Sequence, residues 1–272
     1  MRAFVEKTID NVPKLGLVAE GLILLILGIG FAINSPAVTW LWPCRNDPMT
    51  GVFLAALLVS YGSGSIFVAC TVDWRAATGG GALALVVGFG GFALAIARGV
   101  FSGHGNSMLP HAIVLGSIAV GSAYAFYASQ TLELSPAPRA PLLVRVALLI
   151  LAFGLAFVGY GLLAGWHGML PWRVDVPTAT LVGWLFIGFA ADYVMTARQG
   201  NRSACETLLF GLFVYNSVLV LPLLHGVVMA SPDELANLTG NIIGLTATTL
   251  FSGYFLWCGY GRTWKLSNAF SA

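Results

Sequence analysis

The sequence predicts an all-α fold, a polytopic bundle of about eight transmembrane helices built as two parallel four-helix repeats. Composition predicts the membrane environment: only 9% of the residues are charged, against about 25% in a typical soluble domain, and the mean hydropathy is +0.85. So few charges could not cover the surface of a water-soluble protein. The repeat is predicted from two similar segments, 40–50 and 170–178, each of which leads into a long apolar run.

Eight apolar runs are long enough to cross a hydrocarbon core of ~30 Å, which takes ~20 helical residues. We interpret the first run as a retained helix rather than a secretory signal. It is long, it contains Glu20, and no clear small-residue cleavage site follows it. The seventh run contains Pro222 near its end. In chain order the runs cover residues 15–33, 51–72, 79–97, 109–129, 144–163, 178–196, 207–224 and 239–260.

The two similar segments each place a Trp and a Pro before an Arg, an Asp and a second Pro. A further correspondence aligns residues 73–77 with residues 200–204, so the similarity continues beyond one loop. The duplication predicts a first four-helix repeat over 1–130, a Pro-rich cytoplasmic linker over 131–143 and a second four-helix repeat over 144–272. Since each repeat has an even number of helices, both cross the membrane in the same direction.

The basic residues predict the orientation of the chain. Of the 13 Lys and Arg residues, only Arg45, Arg98 and Arg173 fall on one predicted side of the membrane. The positive-inside rule therefore places both termini in the cytoplasm of a bacterial-type inner membrane. The Trp/Pro segments then face outward, where interfacial Trp residues are common.

The repeated segments resemble those of an uncharacterised group of bacterial multi-pass membrane proteins with duplicated four-helix units. The resemblance covers most of the first repeat and, more loosely, the second, in which an Asp-Trp-Arg box has become Gly200-Asn201-Arg202. It implies the same topology and carries no activity with it. The residues that carry it are Trp42, Pro43, Pro48, Thr50, Asp73, Trp74 and Arg75.

Glu20 and Asp192 are acids inside apolar runs, and an ionisable residue within a membrane is a candidate for function. Both are expected near the cytoplasmic ends of their helices, where they could face each other, share a proton or bind a cation. Neither acid has an acidic counterpart in the other repeat. The structural alternative is that each reaches the interface or bonds to nearby backbone and hydroxyl groups.

A second polar group is expected near the middle of the membrane. Its members are candidates either for interhelical hydrogen bonds, which we favour, or for a weakly polar cavity between the repeats. Glycine spacing also suggests close helix contacts, notably Ser60-x-x-x-Gly64 and Gly240-x-x-x-Gly244. The alternative role of the glycines is close approach to a pigment or a lipid tail. The polar candidates are Tyr61, Tyr215, Asn216 and Ser217.

All four histidines fall on or near the predicted outer face. Imidazole suits copper and zinc, and histidine also titrates near neutral pH. No two histidines have the spacing of neighbours on one helix, so ordinary interfacial residues are the favoured reading over a metal site or a pH-sensitive surface. The four cysteines form no metal-binding pattern either. The histidines are His104, His111, His167 and His225.

The sequence favours a non-enzymatic accessory or scaffold subunit that packs against other membrane proteins, a second copy or lipid. No catalytic motif is present, and a net charge of +2 gives no reason to expect a nucleic-acid partner. One alternative is a small transporter coupled to protons or cations through Glu20 and Asp192. Another is a membrane enzyme or metal-handling protein that uses the outer histidines. No cofactor is indicated.

Overall fold

The structure is a computed structural model that describes residues 2–39, 48–71, 74–97, 109–131, 138–166, 168–170, 172, 174–229 and 232–269. Within these ranges the regular structure is helical, apart from one isolated antiparallel bridge between Arg139 and Asn201. The predicted all-α fold is confirmed. The helices are α1 (Arg2–Ala32), α2 (Pro36–Thr39), α3 (Pro48–Thr71), α4 (Trp74–Ala97), α5 (Leu109–Thr131), α6 (Leu142–Leu163), α7 (Val176–Gln199), α8 (Arg202–Met229) and α9 (Pro232–Ala269).

The eight apolar runs correspond to the eight long helices of the described chain, and α2 is one extra turn. Six of these helices are long and apolar enough to cross a membrane, namely α1, α3, α5, α6, α7 and α8. The helix α4 has a shorter apolar stretch, Gly81–Ala97. The helix α8 continues through Pro222 to Met229, so this proline does not end the seventh predicted run.

The start of α7 gives a physical reason for the Asp and the Thr that lie three residues apart in both Trp/Pro segments. The Asp175 side chain accepts a hydrogen bond of 3.1 Å from the Thr178 backbone N–H, and Pro177 lies in the first turn. Both residue types are favourable there, because the first N–H groups of a helix have no partner within it. The helix α3 likewise begins at Pro48. Its third residue, Thr50, and Thr178 in the same position of α7 are each 1% exposed.

The turn between α7 and α8 is held by the end of the predicted linker. Gly200 ends α7 in the left-handed conformation, with φ of 61°, and the Asn201 side-chain oxygen accepts from the first turn of α8. The Ala140 N–H donates to the Gly200 carbonyl, and the Arg202 N–H donates to the Pro138 carbonyl. This pairing fixes residues 138–140 against the turn.

The helices form two compact units. The first unit contains α1, α2, α3, α9 and α8 from Glu206 onward, and the second unit contains α4 to α7 and α8 up to Cys205. Each unit therefore combines one helix pair from each predicted repeat. The boundaries of the repeats, 1–130 and 144–272, concern similarity of sequence rather than contact, and they remain a prediction.

In the first unit, α3 packs against both α1 and α8. A Cβ atom added to Gly21 of α1 would lie 2.6 Å from the Gly62 carbonyl oxygen of α3, so only glycine allows this approach. The Ser60 hydroxyl of α3 donates a 2.7 Å hydrogen bond to the Gly211 carbonyl of α8. The core of this unit is thus formed by residues far apart in the chain.

In the second unit, α7 packs between α6 and α4, and α4 also contacts α5. A Cβ atom on Gly159 of α6 would lie 2.8 Å from the Gly183 carbonyl oxygen of α7. On another face of α7, a Cβ atom on Gly188 would overlap the carbonyl oxygen of Ala84 of α4. Glycine therefore sets the spacing on two faces of α7.

Candidate functional site

Asp192 is the one predicted intramembrane acid that the structure buries. Asp192 is 6% exposed. The Thr196 hydroxyl, one turn later on α7, donates a hydrogen bond of 3.2 Å to the Asp192 Oδ1 atom. The neighbouring Tyr193 is 7% exposed. Within the described residues, no cation pairs with this carboxyl group. The hydrogen bond that Asp192 makes among the described residues is thus to its own helix.

Glu20 has a different environment. It is exposed on α1, next to Gly21, the residue at which α1 approaches α3. Glu20 belongs to the first unit and Asp192 to the second. The expected pairing of these two acids therefore stays a prediction, and the two carboxyl groups differ in burial.

Asn216, a member of the predicted polar group, makes an interhelical hydrogen bond in the first unit. Asn216 of α8 is 1% exposed, and its Nδ2 atom donates to the Thr248 hydroxyl of α9 at 2.7 Å. The Thr248 hydroxyl is also within bonding distance of the Gly244 carbonyl. Ser252, one turn along α9, is fully buried and bonds to its own helix. Asn216 therefore joins α8 to α9, as the hydrogen-bond hypothesis expects.

The other three members of that group have separate surroundings. The Tyr215 ring makes an edge contact with Phe53, with ring centroids 6.1 Å apart. Ser217 is exposed and donates to the Phe213 carbonyl of its own helix at 2.7 Å. Tyr61 is half-buried on α3. A polar cavity lined by all four residues remains a prediction.

The histidine hypothesis concerns positions that lie mostly outside the described residues. His104 and His167 are outside them, and the side chain of His225 in α8 is not described. His111 is half-buried in the first turn of α5. Among the described residues, no group of three His, Cys, Asp or Glu side chains is placed to hold a metal ion.

The second unit contains a groove that was not predicted from the sequence. It has a volume of about 790 Å³ and lies between α6 and α7, with Leu83 of α4 at its side. Its walls are apolar and include Phe153 and Val194. Its polar residues are Arg198 and Gln199, in the last turn of α7. The groove is therefore apolar along most of its length and polar at the end of α7.

A second arginine lies at the same end of the groove. Arg145 is one turn before the groove-lining Leu149 on α6, and its Nε atom donates to the Ala197 carbonyl of α7 at 2.7 Å. This bond satisfies one of the last carbonyl groups of α7, which have no partner within the helix. Arg145 is half-buried, whereas Arg198 is exposed.

In the sequence, Arg145 and Arg198 indicate only the orientation of the chain in the membrane. Their juxtaposition depends on the packing of α6 against α7. The sequence signal that was available is the run of small residues, including Ala152, Ala156 and Ala190, which leaves space between the two helices. Such a run is also normal where two helices pack closely, so it does not by itself distinguish a groove.

Comparisons with protein-family models, with curated proteins and with solved structures gave no match to this chain. The class of protein therefore follows from the fold. Six described helices have the length and apolar composition needed to cross a membrane. The chain is an all-α, multi-pass membrane protein, and a lipid bilayer is its environment.

Proposed function

We propose that this protein is a non-enzymatic accessory or scaffold subunit of a membrane complex. The observation that supports the proposal is an unoccupied helix-packing face on α9. Gly240 and Gly244 are both exposed, and a Cβ atom added to either would meet nothing within 4 Å. The close-approach motif of α9 is therefore not used by the described part of this chain.

Large apolar residues are also exposed farther along α9. Leu250, Tyr254 and Trp257 are three, four and seven residues apart, so they lie on one side of the helix, beyond the exposed glycines. These three side chains are 70%, 63% and 82% exposed. Small residues that allow backbones to approach, next to large ones that fill the remaining space, are typical of contacts between transmembrane helices. A helix of another subunit, or of a second copy, fits this face.

Substitution of the two glycines tests the proposal. The full chain is extracted from its native membrane in a mild detergent, and its mass and co-purifying proteins are measured. We expect a stoichiometric partner or a dimer with the wild type, and its loss in the Gly240→Leu/Gly244→Leu variant. Gly121→Leu on α5 is the matched control, since a Cβ atom there also meets nothing within 4 Å. A wild type that is monomeric and unaccompanied would contradict the proposal.

We also propose that the protein lies in a bacterial-type inner membrane with both termini in the cytoplasm. The support is the distribution of basic residues, including Arg139, Arg145, Arg198 and Arg202, which all belong to the α7–α8 end of the second unit. Reporter fusions at the two termini test this orientation. Reporter activity typical of the external side at either terminus would contradict it.

We propose further that the chain arose by duplication of a four-helix repeat. When Thr50 is aligned with Thr178, Ser60 of α3 falls opposite Gly188 of α7. When Arg75 is aligned with Arg202, Ala84 of α4 falls opposite Gly211 of α8. The pairs of closest approach, Ser60 with Gly211 and Gly188 with Ala84, therefore occupy corresponding positions. This agreement between sequence alignment and helix contacts supports the duplication.

A second candidate function, a proton- or cation-coupled transporter, is favoured by the burial of Asp192. A carboxyl group in this position is costly unless it has a structural or functional role. We would reconstitute the full chain in vesicles and measure proton and cation flux for the wild type, for Asp192→Asn and for Glu20→Gln. Flux that falls in Asp192→Asn at unchanged protein yield would support transport, and absence of flux in the wild type would exclude the ions tested.

A further inference from the structure

We propose that the groove between α6 and α7 is a binding site for one anionic phospholipid. Its acyl chain lies along the apolar walls, and its phosphate group lies at Arg198 and Arg145. This inference concerns the second unit, whereas the accessory-subunit proposal concerns α9 of the first unit. The two proposals therefore fail independently.

The size of the groove fits one lipid chain. Its volume of about 790 Å³ lies within the range of about 300 to 1,000 Å³ that is usual for ligand sites. Along α7 its lining runs from Ile187 to Gln199, which is about 18 Å at a rise of 1.5 Å per residue. Half of a hydrocarbon core of ~30 Å is about 15 Å. The length of the groove along α7 is thus close to the thickness of the hydrocarbon region of one leaflet.

The polarity of the groove matches the polarity of a lipid. Leu149, Phe153 and Val194 supply apolar walls, and the polar residues are confined to the end at Arg198. That end is also the end of α7, which is near the membrane surface if α7 spans the bilayer. An acyl chain on the walls would therefore place its headgroup beside the arginine.

The arginines supply the charge that selects an anionic headgroup. Within the described residues, the Arg198 side chain makes no hydrogen bond or ion pair. Arg145 uses its Nε atom to bind the Ala197 carbonyl, and its terminal amino groups make no other bond in the described part of the chain. One guanidinium group can bind a phosphate group through two parallel N–H···O hydrogen bonds. Basic pockets between membrane helices at the cytoplasmic side bind anionic lipid headgroups in this way.

A lipid fits the groove better than a partner helix does. A transmembrane helix crosses the whole core and carries no obligatory negative charge at the depth of the arginines. An anionic phospholipid has an apolar chain of one-leaflet length and a phosphate at its end. Phe153, on the groove wall, is 76% exposed, so the groove is open to entry from the side.

Lipid selectivity is the first test. The full chain is purified in detergent and delipidated, and then exposed to phosphatidylglycerol or to phosphatidylcholine with the same acyl chains. Native mass spectrometry counts the retained molecules. We expect one phosphatidylglycerol to be retained at least fivefold more strongly than phosphatidylcholine. Equal retention of the two lipids would overturn the proposal, and so would full displacement of the lipid by inorganic phosphate at millimolar concentration.

Two variants separate the headgroup contact from the acyl-chain contact. Arg198→Gln is expected to lower phosphatidylglycerol retention about fivefold to tenfold, and Lys14→Gln, which removes the same charge from α1, should leave it unchanged. Ala156→Leu narrows the groove and should weaken retention of both lipids. Its control is Gly154→Leu on the same helix, where a Cβ atom meets nothing within 4 Å. Unchanged retention in both groove variants would overturn the proposal.

Cross-linking in cells identifies the occupant directly. A photoreactive benzoylphenylalanine replaces Phe153, which faces the groove and is exposed. We expect a lipid adduct whose headgroup mass is that of an anionic phospholipid. A protein adduct at this position would overturn the proposal, because the groove would then be a helix-docking surface.

Discussion

The helix pairs that the proposed repeat aligns with one another are held together by different chemistry in the two units. In the first unit, the Ser60 hydroxyl of α3 bonds to the Gly211 carbonyl of α8. At the corresponding place in the second unit, Gly188 of α7 has no side chain and lets the Ala84 backbone of α4 approach. A hydroxyl that bonds across an interface and a glycine that narrows it are alternative ways to join helices in lipid. The comparison teaches that similar helix pairing does not require similar contacts.

The contact of α8 with α9 differs in the same way from the contact of α4 with α5. The Asn216 side chain bonds α8 to α9 in the first unit. In the second unit, α5 contacts α4 through small residues: a Cβ atom on Gly90 would lie 3.5 Å from the Ala119 Cβ atom. At these two contacts, the first unit thus uses a hydrogen bond where the second uses close packing. Substitutions that affect only one of these mechanisms can test the comparison.

Adding one methyl group at Gly188 should have the largest effect. Gly188→Ala brings the new Cβ atom onto the Ala84 carbonyl oxygen, and these backbone atoms cannot move aside as a flexible side chain would. We expect a loss of about 2 kcal/mol in the free energy of unfolding, measured in mixed micelles of detergent and dodecyl sulfate. Gly154→Ala is the control and should be neutral or stabilising by up to about 1 kcal/mol. Equal effects at the two positions would show that α4 and α7 do not pack closely.

Removal of the Asn216 amide should have the next largest effect. Asn216→Leu keeps the branching and the number of heavy atoms of the side chain and loses the bond to Thr248, which should lower the free energy of unfolding by about 0.6 to 1.7 kcal/mol. Thr248→Val should give a similar loss, and the double variant should lose less than the sum of the two. Strict additivity would contradict direct coupling. Ser217→Ala is the control, because the Ser217 hydroxyl bonds only within α8.

Ser60→Ala should have a smaller effect. The Ser60 hydroxyl bonds to the Gly211 backbone, and its loss should lower the free energy of unfolding by about 0.6 kcal/mol, the average for such bonds between membrane helices. Ser63→Ala is the matched control on the same helix, because the Ser63 hydroxyl bonds to the Val59 carbonyl of α3 itself. A loss as large in the control would show that the bond between Ser60 and Gly211 does not stabilise the contact of α3 with α8.

Thr178→Val should have the smallest effect and the opposite sign. The Thr178 Oγ1 atom is buried at the start of α7 and has no hydrogen-bond partner in the described part of the chain. A buried hydroxyl without a partner is costly, so valine should raise the free energy of unfolding by about 0.5 kcal/mol. Thr180→Val, at an exposed hydroxyl that bonds to the Val176 carbonyl, is the comparison. A clear loss in Thr178→Val would reveal a partner for this hydroxyl.

The sequence predicted the helices because the determinants of a membrane helix are local. Length and apolar composition fix where a segment can cross a bilayer. The start of α7 depends on local residues as well, since Asp175 and Pro177 act within a single turn. Asn216 could be assigned to an interhelical hydrogen bond for a related reason: an amide buried in an apolar environment needs a partner.

Position along the chain did not predict that Asp192 is buried and Glu20 is exposed. Both acids lie four or five residues from an end of their predicted apolar runs, but Asp192 lies on α7, which packs between α6 and α4. The same packing brings Arg145 and Arg198 to one end of a groove. In the sequence these two arginines are separated by most of α6 and α7.

By itself, the sequence determined that the chain is a set of membrane-spanning helices, which stretch of the chain lies in each, and which polar residues need partners. It did not determine the helix ends, since α1 begins at Arg2 rather than at residue 15 and α9 covers Pro232–Ala269 rather than 239–260. Only the tertiary structure decided that each compact unit takes one helix pair from each predicted repeat, that Ser60 contacts Gly211 and Gly188 contacts Ala84, and that a groove lies between α6 and α7. The reason is that apolar helix faces look alike in sequence whether they contact lipid or protein. Which faces meet depends on how side chains from distant segments fit together.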